Sequence, residues 1–145
     1  MEKIKLLECI QEINHQIVRY VEQTIRQRTD FDIKYSHYEI IRLLLTKKTM
    51  SMKDLSQKVM KHKSTVTALV KKLHDYELLE YHKDRRDDRK QLVSITAEGK
   101  ALRGVINAIE QKIMIIVHRE LTVQEQNEAL LYLNKMQQSL HVQHT

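Results

Sequence analysis

The feature that most restricts the fold of this chain is the scarcity of residues that interrupt regular structure. Its 145 residues include two glycines and no proline. Glycine-rich phosphate loops and many-stranded β folds both depend on these residues. The sequence therefore predicts a mainly helical protein, and its length fits a single domain over residues 1–145.

Charge and cysteine content narrow the class of protein. The formal net charge of +6 favours an anionic partner such as nucleic acid or an acidic membrane surface. No apolar run approaches the roughly 18 residues of a spanning helix, and the charged start is unlike a signal peptide, so a cytoplasmic location without membrane contact is predicted.

A single cysteine excludes an internal disulfide and a zinc ribbon. No cofactor and no metal site is predicted, although histidines brought together across helices would be an alternative.

Apolar residues at three- and four-residue spacing predict six helices. The first covers residues 3–27, the third has about ten residues, and the fifth has about 25. In the last helix, Leu130, Leu133, Met136 and Leu140 are expected to face inward. The predicted caps are Ser36 for the second helix, Ser51 with Asp54 for the third, Thr96 for the fifth, and Thr122 with Glu125 for the sixth.

The order of the central elements predicts a winged helix-turn-helix over residues 36–96. The helix-turn-helix covers residues 51–76, and a two-stranded wing covers residues 78–96. In the second helix of the pair, one side is aliphatic and the other is small and polar. The aliphatic side has Val66, Leu69, Val70 and Leu73, and the polar side has Ser64, Thr67, Ala68 and Lys71.

The polar side of this helix predicts binding to double-stranded DNA. Five lysines and no carboxylate lie between Lys58 and Lys72. A major groove admits one helix, and short side chains at the contact allow a close approach. Lysines such as Lys61, Lys63 and Lys71 would reach phosphates or guanine edges. The alternative is that this face is only solvated.

The wing tip, DRRDDRK, is nearly balanced in charge, so its spacing matters more than its charge. A carboxylate two residues before an arginine, as in Asp87 and Arg89, can orient the guanidinium for a narrow minor groove. The alternative is a surface ion pair worth about 0 to 1 kcal/mol.

These residues resemble the MarR family of bacterial transcription regulators. The segment from Tyr35 to Lys100 is similar to that family's recognition helix and wing. The family's D-x-R matches Asp87 and Arg89, and its L-T-x-x-G occurs as Ile95, Thr96 and Gly99.

The resemblance implies a homodimeric repressor or activator that reads a pseudo-palindrome, with the wings in adjacent minor grooves. It also implies a small aromatic or lipophilic effector, which no residue identifies. The DNA contacts that it implies by position are Ser64, Thr65, Thr67 and Lys71 in the recognition helix, Asp87 and Arg89 in the wing, and additionally Lys63 and Arg86.

A homodimer is also expected from apolar area alone. Residues 1–30 and 97–140 carry long apolar stripes beyond those that the winged unit can bury. At about 25 cal/mol per Å² of apolar surface, leaving them exposed would cost more than a domain's whole stability. These segments are therefore predicted to form the dimerisation region, with three-helix packing inside one chain as the alternative.

Cys9 is the candidate redox sensor. It aligns with the reactive cysteine of the family's oxidation-sensing branch, and Tyr35 aligns with the tyrosine that contacts it there. However, Glu8 and Glu12 would raise the pKa of a nearby thiol, and the aromatic residue of that branch is replaced by Ile13. An ordinary thiol is predicted, and an oxidation-sensing repressor stays an alternative.

No catalytic motif is present, so an enzyme is not predicted. A second non-enzymatic class fits the same basic face, namely an architectural protein that coats DNA regardless of sequence. The two differ in specificity, because a regulator prefers its own site by about 10³-fold or more.

Overall fold

The computed structural model describes residues 2–143, with side chains for residues 4–141. The fold is mainly α with a winged helix-turn-helix, which confirms the predicted fold class. Its elements are α1 (Glu2–Arg28), α2 (Tyr35–Lys47), β1 (Thr49–Ser51), α3 (Met52–Val59), α4 (Lys63–Asp75), β2 (Leu79–Lys83), β3 (Gln91–Ile95), α5 (Ala97–Lys100), α6 (Arg103–Glu120) and α7 (Val123–Gln143).

The chain divides into two compact units between Asn107 and Ala108. The first unit contains an antiparallel sheet in the order β1-β3-β2. Its core is aliphatic, because helices and strands each turn one apolar face inward. Fully buried side chains of this core include Val21, Ile33, Ile40, Ile41, Leu44, Leu55, Val66, Val70, Leu73, Leu78, Leu79 and Val93.

The two predicted strands of the wing are present as β2 and β3, and the sheet has a third strand, β1, that the sequence pattern does not predict. Thr49 to Ser51 form β1, which pairs with β3 in the register Thr49 opposite Ser94. The hydroxyl oxygens of Thr49 and Ser94 lie 2.9 Å apart. Three residues are too short for an alternating pattern, so only the pairing with β3 makes this segment a strand.

The predicted cap of α2 is also wrong. The helix begins at Tyr35 with Lys34 as its N-cap, and Ser36 lies inside the first turn. The free backbone N–H groups are satisfied by other side chains. Glu22 Oε2 accepts from Tyr35 N at 2.9 Å, and His37 Nδ1 accepts from Lys34 N at 3.0 Å. These bonds replace the hydroxyl cap that the sequence suggests.

The predicted long helix after Thr96 is divided into α5 and α6. At the division, Leu102 N donates to Gly99 O at 3.1 Å, which is the tighter three-residue spacing of a 3₁₀ turn. Leu102 is buried in this turn. The next residue, Arg103, donates from Nη2 to Leu45 O at 2.9 Å and so satisfies a carbonyl in the last turn of α2.

The second unit contains the rest of α6 and α7. The predicted cap of α7 is present. Thr122 N donates to Glu125 Oε1 and Glu125 N donates to Thr122 Oγ1, both at 3.1 Å. Hydrogen bonding from the backbone and side chain of Thr122 lowers the pKa of the Glu125 carboxyl.

The inward orientation predicted for four residues of α7 is not seen in the single chain. Leu130, Leu133, Met136 and Leu140 are all exposed, at 38% to 59% of their surface. None of the helices among residues 2–143 combines the length and apolarity that crossing a membrane requires.

Candidate nucleic-acid interface

The turn between α3 and α4 fixes how the second helix is presented. Ser51 Oγ accepts from Asp54 N at 3.0 Å and caps α3, as predicted. At the other end, Met60 adopts the left-handed conformation with φ 54°. Met60 N then donates to Gln57 O, and Lys61 N donates to Ser56 O at 3.1 Å, which closes a Schellman motif. The chain is thereby turned into α4 by backbone bonds alone.

Helix α4 has the two faces that its periodicity predicts. Val66, Val70 and Leu73 are buried, and Leu69 is half-buried. The opposite side is open to solvent, so it is free to meet a ligand. The exposed predicted contacts on this helix are Lys63, Ser64, Thr65, Thr67 and Lys71.

One carboxyl group reaches this basic surface from another helix. Glu39 of α2 is half-buried, and burial raises its pKa while Lys61 and Arg42 act in the opposite direction. The position of Glu39 near Lys61 could not be predicted from the sequence, because Glu39 lies 22 positions before Lys61 in the chain. No local spacing signals this pair.

The wing tip is built from two successive turns, each closed by an aspartate. Asp84 Oδ1 accepts from Arg86 N at 2.9 Å, and Asp87 Oδ1 accepts from Arg89 N at 3.0 Å. The backbone bond from Lys90 N to Asp87 O, at 2.9 Å, closes the tip. Side-chain to backbone bonds of this kind, over two residues, are Asx turns. They give the hairpin end a defined shape.

Asp87 also holds the side chain of Arg89. Arg89 Nε lies 3.3 Å from Asp87 Oδ1, and the arginine side chain is 93% exposed. An ion pair this exposed stabilises a protein by only about 0 to 1 kcal/mol. Its consequence is geometric, since the guanidinium is oriented outward from the wing before any ligand arrives.

The base of the wing is tied to the end of α4. Glu77 has φ 63°, and Leu78 N donates to Leu73 O at 3.0 Å, so α4 also ends in a Schellman motif. Thr96 Oγ1 donates to Glu77 O at 2.7 Å, and Thr96 N donates to Leu78 O at 3.1 Å. The residue that follows β3 is therefore fixed to the residues that follow the candidate recognition helix.

Gly99 completes this junction. Its N–H donates to Thr96 Oγ1 at 3.0 Å. A Cβ at this position would lie 2.3 Å from Leu78 O and 2.6 Å from Ile95 Cγ1. The threonine and glycine of the L-T-x-x-G pattern are thus explained by one close approach between α5 and the end of α4.

An aromatic contact joins α4 to strand β2 of the wing. The rings of His74 in α4 and Tyr81 in β2 lie 4.7 Å apart. The sequence does not predict this contact, because it depends on how the strand returns along the helix. Together with Thr96 and Gly99, this contact sets the angle between α4 and the wing.

His37 is a buried titratable group at the start of α2. Its pKa is lowered by burial and by the nearby Lys72, and its Nδ1 accepts from Lys34 N. A ring nitrogen that accepts a hydrogen bond carries no proton. The neutral imidazole is therefore the form that the fold requires.

This predicts a loss of stability in mild acid. Unfolded histidine has a pKa of about 6.5, so the unfolded chain takes up a proton before the folded chain as the pH falls. The stabilising contribution is complete above that pKa and declines below it, by at most about 1.4 kcal/mol per pH unit. Urea unfolding at pH 7.5 and 5.5 is expected to show a smaller decline for His37→Gln than for the wild type. The control is His15→Gln, which changes an exposed histidine of α1. An equal decline in all three proteins would contradict the prediction.

The structure does not bring Cys9 and Tyr35 together within one chain. Cys9 is exposed on α1. The Tyr35 backbone is bonded to Glu22, which lies 13 residues further along the same helix, or about 20 Å at 1.5 Å per residue. The Tyr35 ring contacts Tyr38 instead, and burial and Glu39 raise the pKa of the Tyr35 hydroxyl. Redox sensing by Cys9 stays an untested alternative.

The first unit has an apolar cavity of about 10 Å³. That is room for about one water molecule, so this cavity does not accommodate a small aromatic effector as it stands. Its walls are formed by Ile25, Thr29, Ile33, Tyr38, Ile41, Leu102, Val105 and Ile106.

A family model matches the part of the chain that contains this candidate interface. The model of the MarR family matches residues 33–91. The HTH-type transcriptional regulator SarZ of Staphylococcus aureus is 26% identical over 84 residues. That match covers 58% of this chain and 57% of SarZ, so it spans little more than half of the curated relative.

Solved structures are similar over nearly the whole chain. MepR of S. aureus in complex with DNA has a TM-score of 0.81 at 20% identity, covering 91% of this chain and 96% of MepR. BpsR of Bordetella bronchiseptica, whose DNA binding is regulated by 6-hydroxynicotinic acid, has a TM-score of 0.75 at 22% identity, covering 92% and 98%. At these identities the likeness shows the fold.

Proposed function

Because residues 33–91 match the model of the MarR family and include the helix-turn-helix and most of the wing, we propose that this chain is a transcriptional regulator that binds double-stranded DNA at specific sites. The observation that carries the proposal is the combination, in one unit, of an exposed polar face on α4 and a wing arginine oriented by Asp87. A helix of this kind fits a major groove, and a guanidinium fits the negative potential of a narrow minor groove.

The residues divide by role. Ser64, Thr65 and Thr67 have short side chains on the exposed face of α4 and are proposed to meet base edges. Lys63 and Lys71 are proposed to meet phosphates, which set the register of the helix. Arg89, with Arg86 beside it on the tip, is proposed to enter the minor groove.

The proposed assembly is a homodimer on a pseudo-palindromic operator. Large apolar side chains are exposed at the start of α1, including Ile4, Leu6, Leu7 and Ile13, and along α6 and α7. Such surfaces are typical of an interface. Two-fold symmetry would place two α4 helices about one DNA turn apart, on half-sites of matching symmetry.

Selection of bound sites from random duplexes tests the function. A regulator is expected to enrich one pseudo-palindromic sequence and to prefer it by about 10³-fold or more over random DNA at physiological salt. An architectural protein with the same basic face would enrich no sequence, and that result would contradict the proposal.

Arg89→Ala is expected to weaken binding to the selected site by about 1 to 3 kcal/mol. Folding is expected to be unchanged, because the side chain is almost fully exposed in the free protein. Asp87→Ala is expected to give a smaller loss in the same direction, since the aspartate acts through the orientation of the arginine and the turn that it closes. Titration of labelled duplex at fixed salt measures both.

Arg85→Ala is the matched control for charge. Arg85 lies on the same tip and is exposed, but unlike Arg89 it has no aspartate contact recorded for its side chain among the described residues. Its loss is expected to weaken selected and random duplexes equally, with a salt slope smaller by about 1. If Arg89→Ala behaves in this same way, the Asp87–Arg89 pair has no role in site preference.

Release from DNA by a small aromatic or lipophilic effector is proposed as the mode of control. The support is the likeness in fold to BpsR, whose DNA binding responds to 6-hydroxynicotinic acid. Adding a series of small aromatic acids to the complex with the selected site tests it. Release by none of them at millimolar concentration would count against this class of effector.

A further inference from the structure

Thr67 differs from the other hydroxyl residues of the exposed α4 face. Its Oγ1 donates a hydrogen bond to Lys63 O at 2.8 Å, one turn back in the same helix. A hydroxyl has one hydrogen to donate, so this donor is already used. By contrast, the side chains of Ser64 and Thr65 are also exposed, and neither hydroxyl has a hydrogen-bond partner within the described residues.

The internal bond decides which part of Thr67 faces outward. Threonine is branched at Cβ, so it has few rotamers in a helix, and a hydroxyl bonded to the carbonyl four residues back selects one of them. The oxygen is drawn toward the backbone, and the γ-methyl is left as the free substituent on an exposed residue. Thr67 therefore presents an apolar group among polar neighbours.

Base edges differ in what they require from such a group. In the major groove, guanine presents two acceptors, N7 and O6, and needs a donor. Thymine presents its C5-methyl group, which is read by apolar contact. Hydrogen-bond donors near this position are Lys71, one turn further along the same face, and Ser64, one turn back.

We propose that Thr67 determines sequence preference by contact of its γ-methyl with the C5-methyl of a thymine, and so selects an A·T pair in each half-site. This inference rests on the proposed function, because it assumes that α4 meets base edges. It adds that the hydroxyl of Thr67 bonds to the backbone of its own helix, whereas its methyl group contacts the base.

The test uses two variants that separate the two groups. Thr67→Val keeps the methyl group and the branched shape but lacks the hydroxyl. Thr67→Ser keeps the hydroxyl but lacks the methyl group. Thr46→Val and Thr46→Ser are the matched controls, because Thr46 is an exposed threonine of α2 that is not among the proposed DNA contacts. Thermal unfolding of each variant confirms that it is folded.

Duplexes carrying the site selected by the wild type are then changed by one methyl group at a time. Each thymine is replaced by deoxyuridine, which pairs identically but lacks the C5-methyl. One thymine per half-site is expected to matter, with binding weakened about three- to fivefold per half-site, as the loss of one buried methyl group predicts. Thr67→Val is expected to keep this sensitivity, and Thr67→Ser is expected to lose it, while both Thr46 variants keep it.

Two results would overturn the inference. If Thr67→Val loses the site preference while Thr67→Ser keeps it, the hydroxyl reads the base. If Thr67→Ser keeps the full deoxyuridine sensitivity, another side chain contacts the thymine. Failure of the proposed function looks different, because the wild type would then select no site at all, and that result would overturn both proposals.

Discussion

Gly99→Ala is expected to destabilise the protein by about 3 kcal/mol, at the upper end of the usual cost of overpacking. The new Cβ would lie 2.3 Å from the backbone oxygen of Leu78 and 2.6 Å from Ile95 Cγ1. A backbone oxygen cannot rotate away as a side chain can, so α5 or the end of α4 has to move. Urea unfolding measures the loss.

Gly104→Ala provides the matched control in the same region. Gly104 lies at the start of α6, and a Cβ there would have no neighbour within 4 Å. The same substitution in an open helical position is expected to stabilise the protein by about 0.5 to 1 kcal/mol. If both substitutions change the free energy of unfolding equally, the close approach to Leu78 and Ile95 is not the reason for a glycine at position 99.

The helices and their faces could be predicted because the signals are local. The spacing of Val66, Val70 and Leu73 identifies the buried side of α4 within one helix. The caps at Ser51 and Thr122 involve residues three positions apart, which one turn of helix brings together. Such features depend on few residues outside the element itself.

The incorrect or missing predictions concern features that depend on contacts between residues far apart in the chain. β1 exists only because Thr49 pairs with Ser94, 45 residues later, and α2 begins at Tyr35 because Glu22 of another helix accepts its N–H. Neither partner could be identified from spacing. Tertiary contacts therefore overrode the local preference for a hydroxyl cap at Ser36.

The candidate site shows the same difference between local signals and contacts between distant residues. The Asp87–Arg89 pair could be predicted from a spacing of two residues, and the structure shows the two side chains in contact. The bonds that join Thr96 to Glu77 and Leu78 could not be predicted, since they cross from the wing to the end of α4. The role proposed for Thr67 depends on a rotamer, which no sequence pattern specifies.

Helix α7 has apolar residues on all sides of its middle part, which bears on the proposed dimer. Leu130, Leu131, Tyr132 and Leu133 are consecutive, and each is at least 50% exposed. Successive residues are about 100° apart around a helix, so these four cover most of its circumference. A single neighbouring helix covers only one stripe. We therefore expect α7 to be enclosed from more than one side by a second copy of the chain, as the homodimer proposal requires.

Leu133→Glu is accordingly expected to convert the dimer into a monomer or an insoluble protein. Two-fold symmetry would bury one unpaired carboxylate from each copy, at a cost of about 3 to 5 kcal/mol each, so the dimer dissociation constant is expected to rise by at least about 10³-fold. The matched control is Gln138→Glu, which adds the same charge at an exposed polar position of α7. Sedimentation at micromolar concentration distinguishes the species, and operator binding is expected to fall with the dimer because one half-site contact is lost. A wild-type protein that sediments as a well-folded monomer would contradict the dimer, and it would leave the exposed side chains of α7 to be covered by some other partner.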